Sequence, residues 1–144
     1  MTVQYAISAE GLPGEDEISN WAGIALQDRQ GPAELVVRLV DEAEMTALNQ
    51  RYRGKDGATN VLSFPYEPVA GVESGLLGDV VICAPVVARE AVAQGKALEA
   101  HWAHMVIHGV LHLLGYDHGS DSEAREMEQL EKWQLASLGF LNPY

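Results

Sequence analysis

The sequence predicts an α+β fold: a single domain over residues 1–144, with a four-stranded mixed sheet packed against helices. Three observations lead to this prediction. The length of 144 residues suits one compact domain. Strand-like and helix-like segments alternate in the first half, whereas two strand-like segments follow each other directly in the middle. A later segment is apolar on almost every side and predicts a buried central helix, on which most of the histidines lie.

The first half of the chain is predicted to contain two strands and two helices. Polarity alternates over 2–7, as in a short strand, and apolar residues then recur at helical spacing over 18–27. Residues 35–40 predict a second strand. Asp41 stands where an N-terminal helix cap is expected, and the helix that follows should end near Gly54.

The second half is predicted to contain two strands and three helices. Residues 59–64 and 78–83 have the composition of strands. A proline in the first turn and a glycine at the end delimit a helix over 85–95. The apolar central helix covers 97–114, and a capping box starts a closing helix over 120–139.

The element order also predicts the strand directions. Two β-α-β units predict parallel strands, and the direct connection between the third and fourth strands predicts an antiparallel edge. The connection over 65–77 is longer than most connections in compact domains. The sequence does not determine the role of this connection, and a lid is one of the alternatives.

Composition limits where the protein is expected to work. A single cysteine, Cys83, excludes an internal disulfide framework and fits a reducing compartment; its place in a strand predicts a core residue rather than a ligand or a nucleophile. The first residues lack the pattern of a signal peptide. No apolar stretch reaches the length of a membrane span. We therefore expect a soluble, cytoplasmic protein with no membrane partner.

The net charge limits the partners. Nine basic and 21 acidic residues give a formal charge of −12, which repels polyanions. Nonspecific wrapping of DNA or RNA needs many basic contacts to phosphates, so we expect no DNA partner. A local cationic site remains possible, because Arg51, Arg53 and Lys55 lie close together in the sequence.

All five histidines lie in the segment HWAHMVIHGVLHLLGYDH. His108 and His112 are one helical turn apart, which lets two imidazoles reach the same ion. Gly115 can end the helix and let the chain turn back, so that His118 faces the same point. Three imidazoles suit zinc and leave one tetrahedral position open. The spacing therefore predicts one Zn²⁺ per chain, although other transition ions would also accept these ligands.

The remaining polar residues of this segment allow alternatives. His101 and His104 are expected to be outer partners or structural residues rather than ligands. A polar core in which each histidine finds a hydrogen-bond partner is the alternative to a metal site. Asp117 either orients a ligand histidine or caps the turn.

The spacing of the three histidines is also that of the metzincin proteases. In that motif a glutamate follows the first histidine and takes the proton from the attacking water. The residue in this position is Gly109, which has no side chain for that step. Peptide hydrolysis is therefore kept only as a less favoured alternative.

Three stretches together resemble the YbeY endoribonucleases, also called rRNA maturation factors: HGVLHLLGYDH, YRGKDGATNVLSFPYE and LLGDVVIC. The resemblance covers nearly the whole chain. It implies a single-strand-specific, metal-dependent endoribonuclease that acts in 16S rRNA 3′-end maturation and in ribosome quality control. It also implies that His108, His112 and His118 hold zinc and that Arg53 is the functional arginine.

The chemistry of Arg53 agrees with that implication. A guanidinium offers paired donors to a phosphate and would stabilise charge that develops during cleavage. The alternative is a solvated arginine at a helix end, where it interacts favourably with the helix dipole. Arg51 and Lys55 are expected to be surface charges, with guidance of a phosphate backbone as the alternative. The sequence leaves the nucleophile open between activated water and the RNA 2′-OH.

Two functional classes are therefore favoured, and a zinc peptidase stays as the less favoured third. The first is an endoribonuclease that acts on the 16S rRNA precursor. The second is a ribosome-assembly binding factor whose metal is structural, which the acidic surface favours because free RNA would meet it slowly. The small ribosomal subunit is the expected partner in both, and the family resemblance adds the GTPase Era.

Overall fold

The computed structural model describes residues 1–67 and 75–144. Within this part the chain forms four strands and five helices, in the predicted order. Their bounds are β1 Thr2–Tyr5, α1 Glu15–Ala25, β2 Glu34–Val40, α2 Glu42–Arg53, β3 Val61–Pro65, β4 Leu76–Cys83, α3 Ala84–Gln94, α4 Leu98–Leu113 and α5 Asp121–Ser137. The interpretation of 65–77 as a lid concerns mainly 68–74, which lie outside the described residues.

The four strands form one mixed sheet in the order β1-β2-β4-β3. β1 and β4 run parallel to β2, and β3 runs antiparallel to β4. The predicted α+β class and the antiparallel edge are confirmed. The prediction that the second β-α-β unit joins parallel strands is wrong, because β3 runs opposite to β2. β4 is buried from Val80 to Cys83 and takes the central place beside β2, which leaves the less buried β3 at the edge.

The central helix α4 is buried along most of its length, as predicted. It packs against β3 and β4 and against the helices α1, α3 and α5. Ile107, Val110 and Leu111 are completely buried. Burying each such side chain contributes about 1.5–3 kcal/mol relative to leaving it exposed, so the helix is held firmly in the middle of the fold.

A second, smaller apolar cluster lies under α2. Met45 from this helix packs there with Leu62 of β3, and Cys83 is buried in the same cluster, as predicted. The start of α2 is fixed by Asp41, whose carboxylate accepts a hydrogen bond from a backbone N–H of the first turn. Gly54 ends the helix in the left-handed conformation that favours glycine. The last helical residue, Arg53, is thereby placed at a sharp change in chain direction.

The closing helix α5 is fixed at its start by Ser120. Its hydroxyl accepts a hydrogen bond from the backbone N–H of Glu123, as the capping box predicts. Among the described residues, no helix is both long enough and apolar enough to cross a membrane.

Candidate metal centre

Three histidines meet where α4 ends. His108 and His112 lie on the last turns of the helix, and their Nε2 atoms are 3.1 Å apart. Gly115 has a φ of 102° and turns the chain back. His118 follows this turn, with its ring centroid 5.2 Å from the centroids of both other rings. One ligand atom from each of the three lies within 4.8 Å of the others. The structure therefore brings the three predicted ligands together.

This donor set fits a transition ion such as zinc. Imidazole nitrogens about 2.0–2.1 Å from a tetrahedral zinc ion lie about 3.4 Å from one another, close to the separation of His108 and His112. The three side chains also line a cavity of about 670 Å³ that opens to solvent. A fourth coordination position would therefore face this cavity and remain accessible to water or substrate.

The protonation of His112 favours metal binding. Burial lowers the pKa of this imidazole, and the neighbouring His108 and His118 lower it further. The neutral imidazole that results near pH 7 is the form that binds a metal. The Asp117 carboxylate accepts a hydrogen bond from the backbone N–H of His118 at 2.7 Å. The sequence left two roles open for Asp117, namely orienting a ligand histidine and capping the turn. This bond is of the second kind.

A buried carboxylate behind the histidines was missed by the sequence analysis. Glu131 of α5 is completely buried. Its Oε1 lies 2.5 Å from Nδ1 of His108, and its Oε2 lies 3.1 Å from Nε2 of His104. The pattern of α5 contains a signal that could have revealed it. Glu131 is four residues from both Met127 and Leu135, so a charged residue stands in the buried stripe of the helix.

Glu131 determines which nitrogen of His108 is free. Burial alone raises the pKa of Glu131, but hydrogen bonds with His104 and His108 outweigh burial and lower the pKa to about 2. The ionised carboxylate only accepts hydrogen bonds, so Nδ1 of His108 carries the proton. The lone pair of His108 is then on Nε2, which faces His112. Glu131 thus prepares His108 to act as a ligand through Nε2.

A second combination of residues, His104, His108 and Glu131, also has its donor atoms close together. The distances of 2.5 and 3.1 Å in this group are those of hydrogen bonds between imidazoles and a carboxylate. His108 uses Nδ1 in this group and keeps Nε2 for the cavity. We therefore interpret the group as support for the centre rather than as a second centre.

The two histidines at the start of α4 have partners of their own. Nε2 of His101 lies 3.0 Å from Glu90 of α3, and Glu90 also accepts a hydrogen bond from the side chain of Asn60. His104 shares Glu131 with His108, as described above. Both histidines are buried. These contacts agree with the expected outer or structural roles.

Arg53 lines the same cavity as the three histidines. Its side chain is exposed and makes no ion pair with the part of the chain that the structure describes. The guanidinium is therefore available to an anion in the cavity. Arg51 instead stacks over the ring of Tyr52, and Lys55 is exposed outside the cavity lining.

The edge strand β3 and the residues before it also line the cavity. Asn60 and Ser63 are polar residues of this part of the lining. The Ser63 hydroxyl donates a hydrogen bond of 2.9 Å to the backbone carbonyl of Gly109, which fixes β3 against α4. The outer edge of β3 has no neighbouring strand among the described residues, so its backbone groups are available to a bound chain.

Gly109 allows α4 to lie close to the sheet. A Cβ atom on this residue would be 2.5 Å from Cγ1 of Val80 and 3.2 Å from Cγ2 of Val61. Position 109 therefore faces the sheet and has no room for a glutamate. This packing gives a structural argument against the peptidase alternative, which needs a carboxylate there.

An α+β fold in which three histidines of a buried helix and its following turn converge defines a candidate metalloprotein centre. The model of the family described as endoribonuclease YbeY matches residues 13–139. The chain belongs to the YbeY family, which confirms the resemblance found in the sequence. It is also similar to the solution structure of TM1509 from Thermotoga maritima, with a TM-score of 0.66 and 29% identity over 96% of this chain and 89% of that chain. The family is one of metal-dependent endoribonucleases in rRNA processing.

Proposed function

We propose that residues 1–144 form a single-strand-specific, zinc-dependent endoribonuclease that matures the 3′ end of 16S rRNA and takes part in ribosome quality control in the cytoplasm. His108, His112 and His118 hold one zinc ion, and Arg53 contacts the scissile phosphate. One observation carries this proposal. In a chain of the YbeY family, three imidazoles and an arginine without a described ion-pair partner line the same cavity.

The roles of the histidines follow from their surroundings. Bound zinc supplies a Lewis acid for a phosphoryl oxygen or for water. Glu131 keeps the proton of His108 on Nδ1, and burial keeps His112 neutral. His108 and His112 can therefore bind zinc without first losing a proton. His118, in the turn after α4, is the third ligand.

Arg53 supplies positive charge beside the scissile phosphate, whose oxygens become more negative during cleavage. Its guanidinium offers parallel N–H donors that match two phosphate oxygens. Because the net charge of the chain is −12, we expect phosphate to be attracted locally at this cavity rather than over the whole surface. The polar groups of β3 that line the same cavity would then contact the sugar or the bases of a single strand.

The chemical groups at the ends of the cleaved RNA identify the nucleophile. Asp117 is the only carboxylate among the described residues that line the cavity, and it already accepts the backbone N–H of His118. A 2′,3′-cyclic phosphate on the product would show that the RNA 2′-OH attacks. A 5′-phosphate with a free 3′-hydroxyl would show that water attacks.

The test compares four proteins, each assayed at the same zinc concentration, on a single-stranded RNA that contains the 16S 3′ precursor. We expect Arg53→Ala to lower cleavage by about 10²–10³-fold, as the loss of one charge-stabilising donor does elsewhere. His112→Ala should abolish it. Lys55→Ala is the matched control and should retain most of the activity. Undiminished cleavage by both Arg53→Ala and His112→Ala, in preparations freed of other nucleases, would refute the proposal.

The second candidate is a ribosome-assembly binding factor with a structural metal. The charge of −12 favours it, because docking on proteins of the small ribosomal subunit, or on the GTPase Era, avoids the repulsion between this surface and free RNA. Cells that carry only His112→Ala distinguish the two candidates. Normal 16S 3′ ends in these cells would favour the binding factor, whereas unprocessed ends favour the enzyme.

A further inference from the structure

Glu131 has three hydrogen-bond partners, and one of them comes from outside α4. Its Oε1 is contacted by Nδ1 of His108, whereas its Oε2 is contacted both by Nε2 of His104 and by the hydroxyl of Tyr144. A carboxylate with no exposed surface is costly unless its oxygens have hydrogen-bond partners. The Tyr144 hydroxyl is one of the three partners that satisfy them.

We propose that Tyr144 is a positioning residue of the metal centre, because its hydroxyl holds the Glu131 carboxylate in the orientation that receives Nδ1–H of His108. The inference rests on the proposed function in one respect, namely that His108 is a zinc ligand. It adds a residue 36 positions further along the chain, which the histidine motif does not contain.

The orientation of Glu131 needs this support. The terminal torsion of a glutamate side chain is broad, so the carboxylate plane is set by its partners and not by the side chain itself. The Tyr144 hydroxyl donates its hydrogen bond to Oε2 of Glu131. Two donors on Oε2 leave Oε1 to His108 alone. Removal of the hydroxyl would leave a single donor on each oxygen and a carboxylate that can turn.

Tyr144 is itself held in place from several sides. Its ring packs edge-to-face on His104, with centroids 5.3 Å apart, and the Lys132 ammonium lies 5.9 Å from the ring centroid. Its backbone N–H donates a hydrogen bond of 2.9 Å to the side chain of Asn142. Although 55% of the Tyr144 surface is exposed, the packing of its ring on His104 places the hydroxyl beside Glu131.

The contact is separate from the substrate cavity. Tyr144 lines a different cavity of about 780 Å³ together with His104, Lys96 and Phe140. It is absent from the described lining of the cavity that contains the three histidines and Arg53. The hydroxyl contacts Glu131 and also lies 3.3 Å from Nε2 of His104, so any effect on the metal must pass through these two residues, of which Glu131 contacts His108 directly.

The experiment uses Tyr144→Phe, which removes the hydroxyl and keeps the ring. The matched control is Tyr5→Phe, which also loses one phenolic hydrogen bond, to the carbonyl of Pro13, away from the histidines. Zinc affinity is measured by competition with a chelator. The imidazole ¹⁵N shifts of the metal-free proteins report which nitrogen of His108 carries the proton. We expect Tyr144→Phe to weaken zinc binding by about 10-fold, the lower end for loss of an outer partner, and Tyr5→Phe to leave it unchanged.

The metal-free spectra should show His108 protonated at Nδ1 in the parent and a mixture of tautomers in Tyr144→Phe. Parent-like zinc affinity and parent-like shifts in Tyr144→Phe would overturn the proposal. So would a loss of affinity in Tyr144→Leu that Tyr144→Phe does not share, because ring packing alone would then be responsible. If the parent binds no zinc, the proposed function fails, and the His108 shifts still decide the role of Tyr144.

Discussion

The two halves of α4 carry the same residue type in different surroundings. In the first half, His101 and His104 are buried, and each has a carboxylate near Nε2, at 3.0 and 3.1 Å. In the second half, His108 and His112 are partly exposed and turn their Nε2 atoms toward each other beside a cavity. His108 also contacts a carboxylate, but through Nδ1, so the comparison shows that the ring nitrogen that the carboxylate contacts separates the supporting histidines from this candidate ligand.

The largest expected effect concerns metal content. His112→Ala should weaken zinc binding by more than about 100-fold, because loss of an outer partner alone costs about 10–100-fold. His101→Gln should retain stoichiometric zinc, since Gln keeps a hydrogen-bond donor near Glu90. Elemental analysis of the two purified variants and of the parent measures this difference.

Equal loss of zinc from His112→Ala and His101→Gln would contradict the distinction between candidate ligands in the second half of α4 and supporting histidines in the first. A folded state has to be verified for both by circular dichroism, because α4 is the centre of the core. Retention of zinc by His112→Ala would remove this residue from the ligand set.

Much of the fold could be predicted because its signals are local. Helix caps such as Asp41 and Ser120 act within one turn, and the apolar surface of α4 is visible in its own sequence. The direction of β3 relative to β2 could not be predicted in the same way. It depends on β4, a later segment, which occupies the place beside β2.

The candidate site shows the same difference between residues with local signals and residues brought together by tertiary packing. His108, His112 and His118 lie within one turn and its following bend, so their spacing is informative. Glu131 contacts His108 across 23 positions, and Tyr144 contacts Glu131 from the irregular segment that follows α5. Such contacts depend on how α5 packs against α4, and this packing cannot be read from a single sequence. The one sequence signal is that Glu131 is a charged residue in the apolar stripe of α5.

The second prediction concerns the close approach of α4 to the sheet, which holds both halves of the helix in position. Gly109→Ala should lower the free energy of unfolding by about 1–3 kcal/mol, because the added Cβ would lie 2.5 Å from Val80. The matched control is Gly23→Ala in α1, where a Cβ meets nothing within 4 Å. This variant should gain about 0.5–1 kcal/mol through helix propensity.

Urea unfolding of both variants, at a fixed zinc concentration, measures the two free energies. A gain of stability in Gly109→Ala would mean that the helix is free to move away from β4. The fixed orientation of the histidines would then need another cause.

The smallest effect is a pH dependence that belongs to the first half of α4. Burial lowers the pKa of His101 below its ordinary value of 6.5, although the hydrogen bond with Glu90 opposes the shift, and Lys96 and His104 add to it. The unfolded chain therefore takes up a proton at a pH at which folded His101 is still neutral. Stability from this residue is complete above pH 6.5 and falls as the pH decreases toward the lowered pKa.

His101→Gln tests this sign, because it removes the titration and keeps a donor near Glu90. Between pH 7.5 and 5.5, the metal-free parent should lose more free energy of unfolding than the variant, as urea unfolding across this range would measure. His112 titrates in both proteins, so its contribution cancels in the difference. A larger loss in the variant would show that the charged pair with Glu90 outweighs burial. His101 would then be a protonated partner of Glu90 rather than a neutral supporting residue.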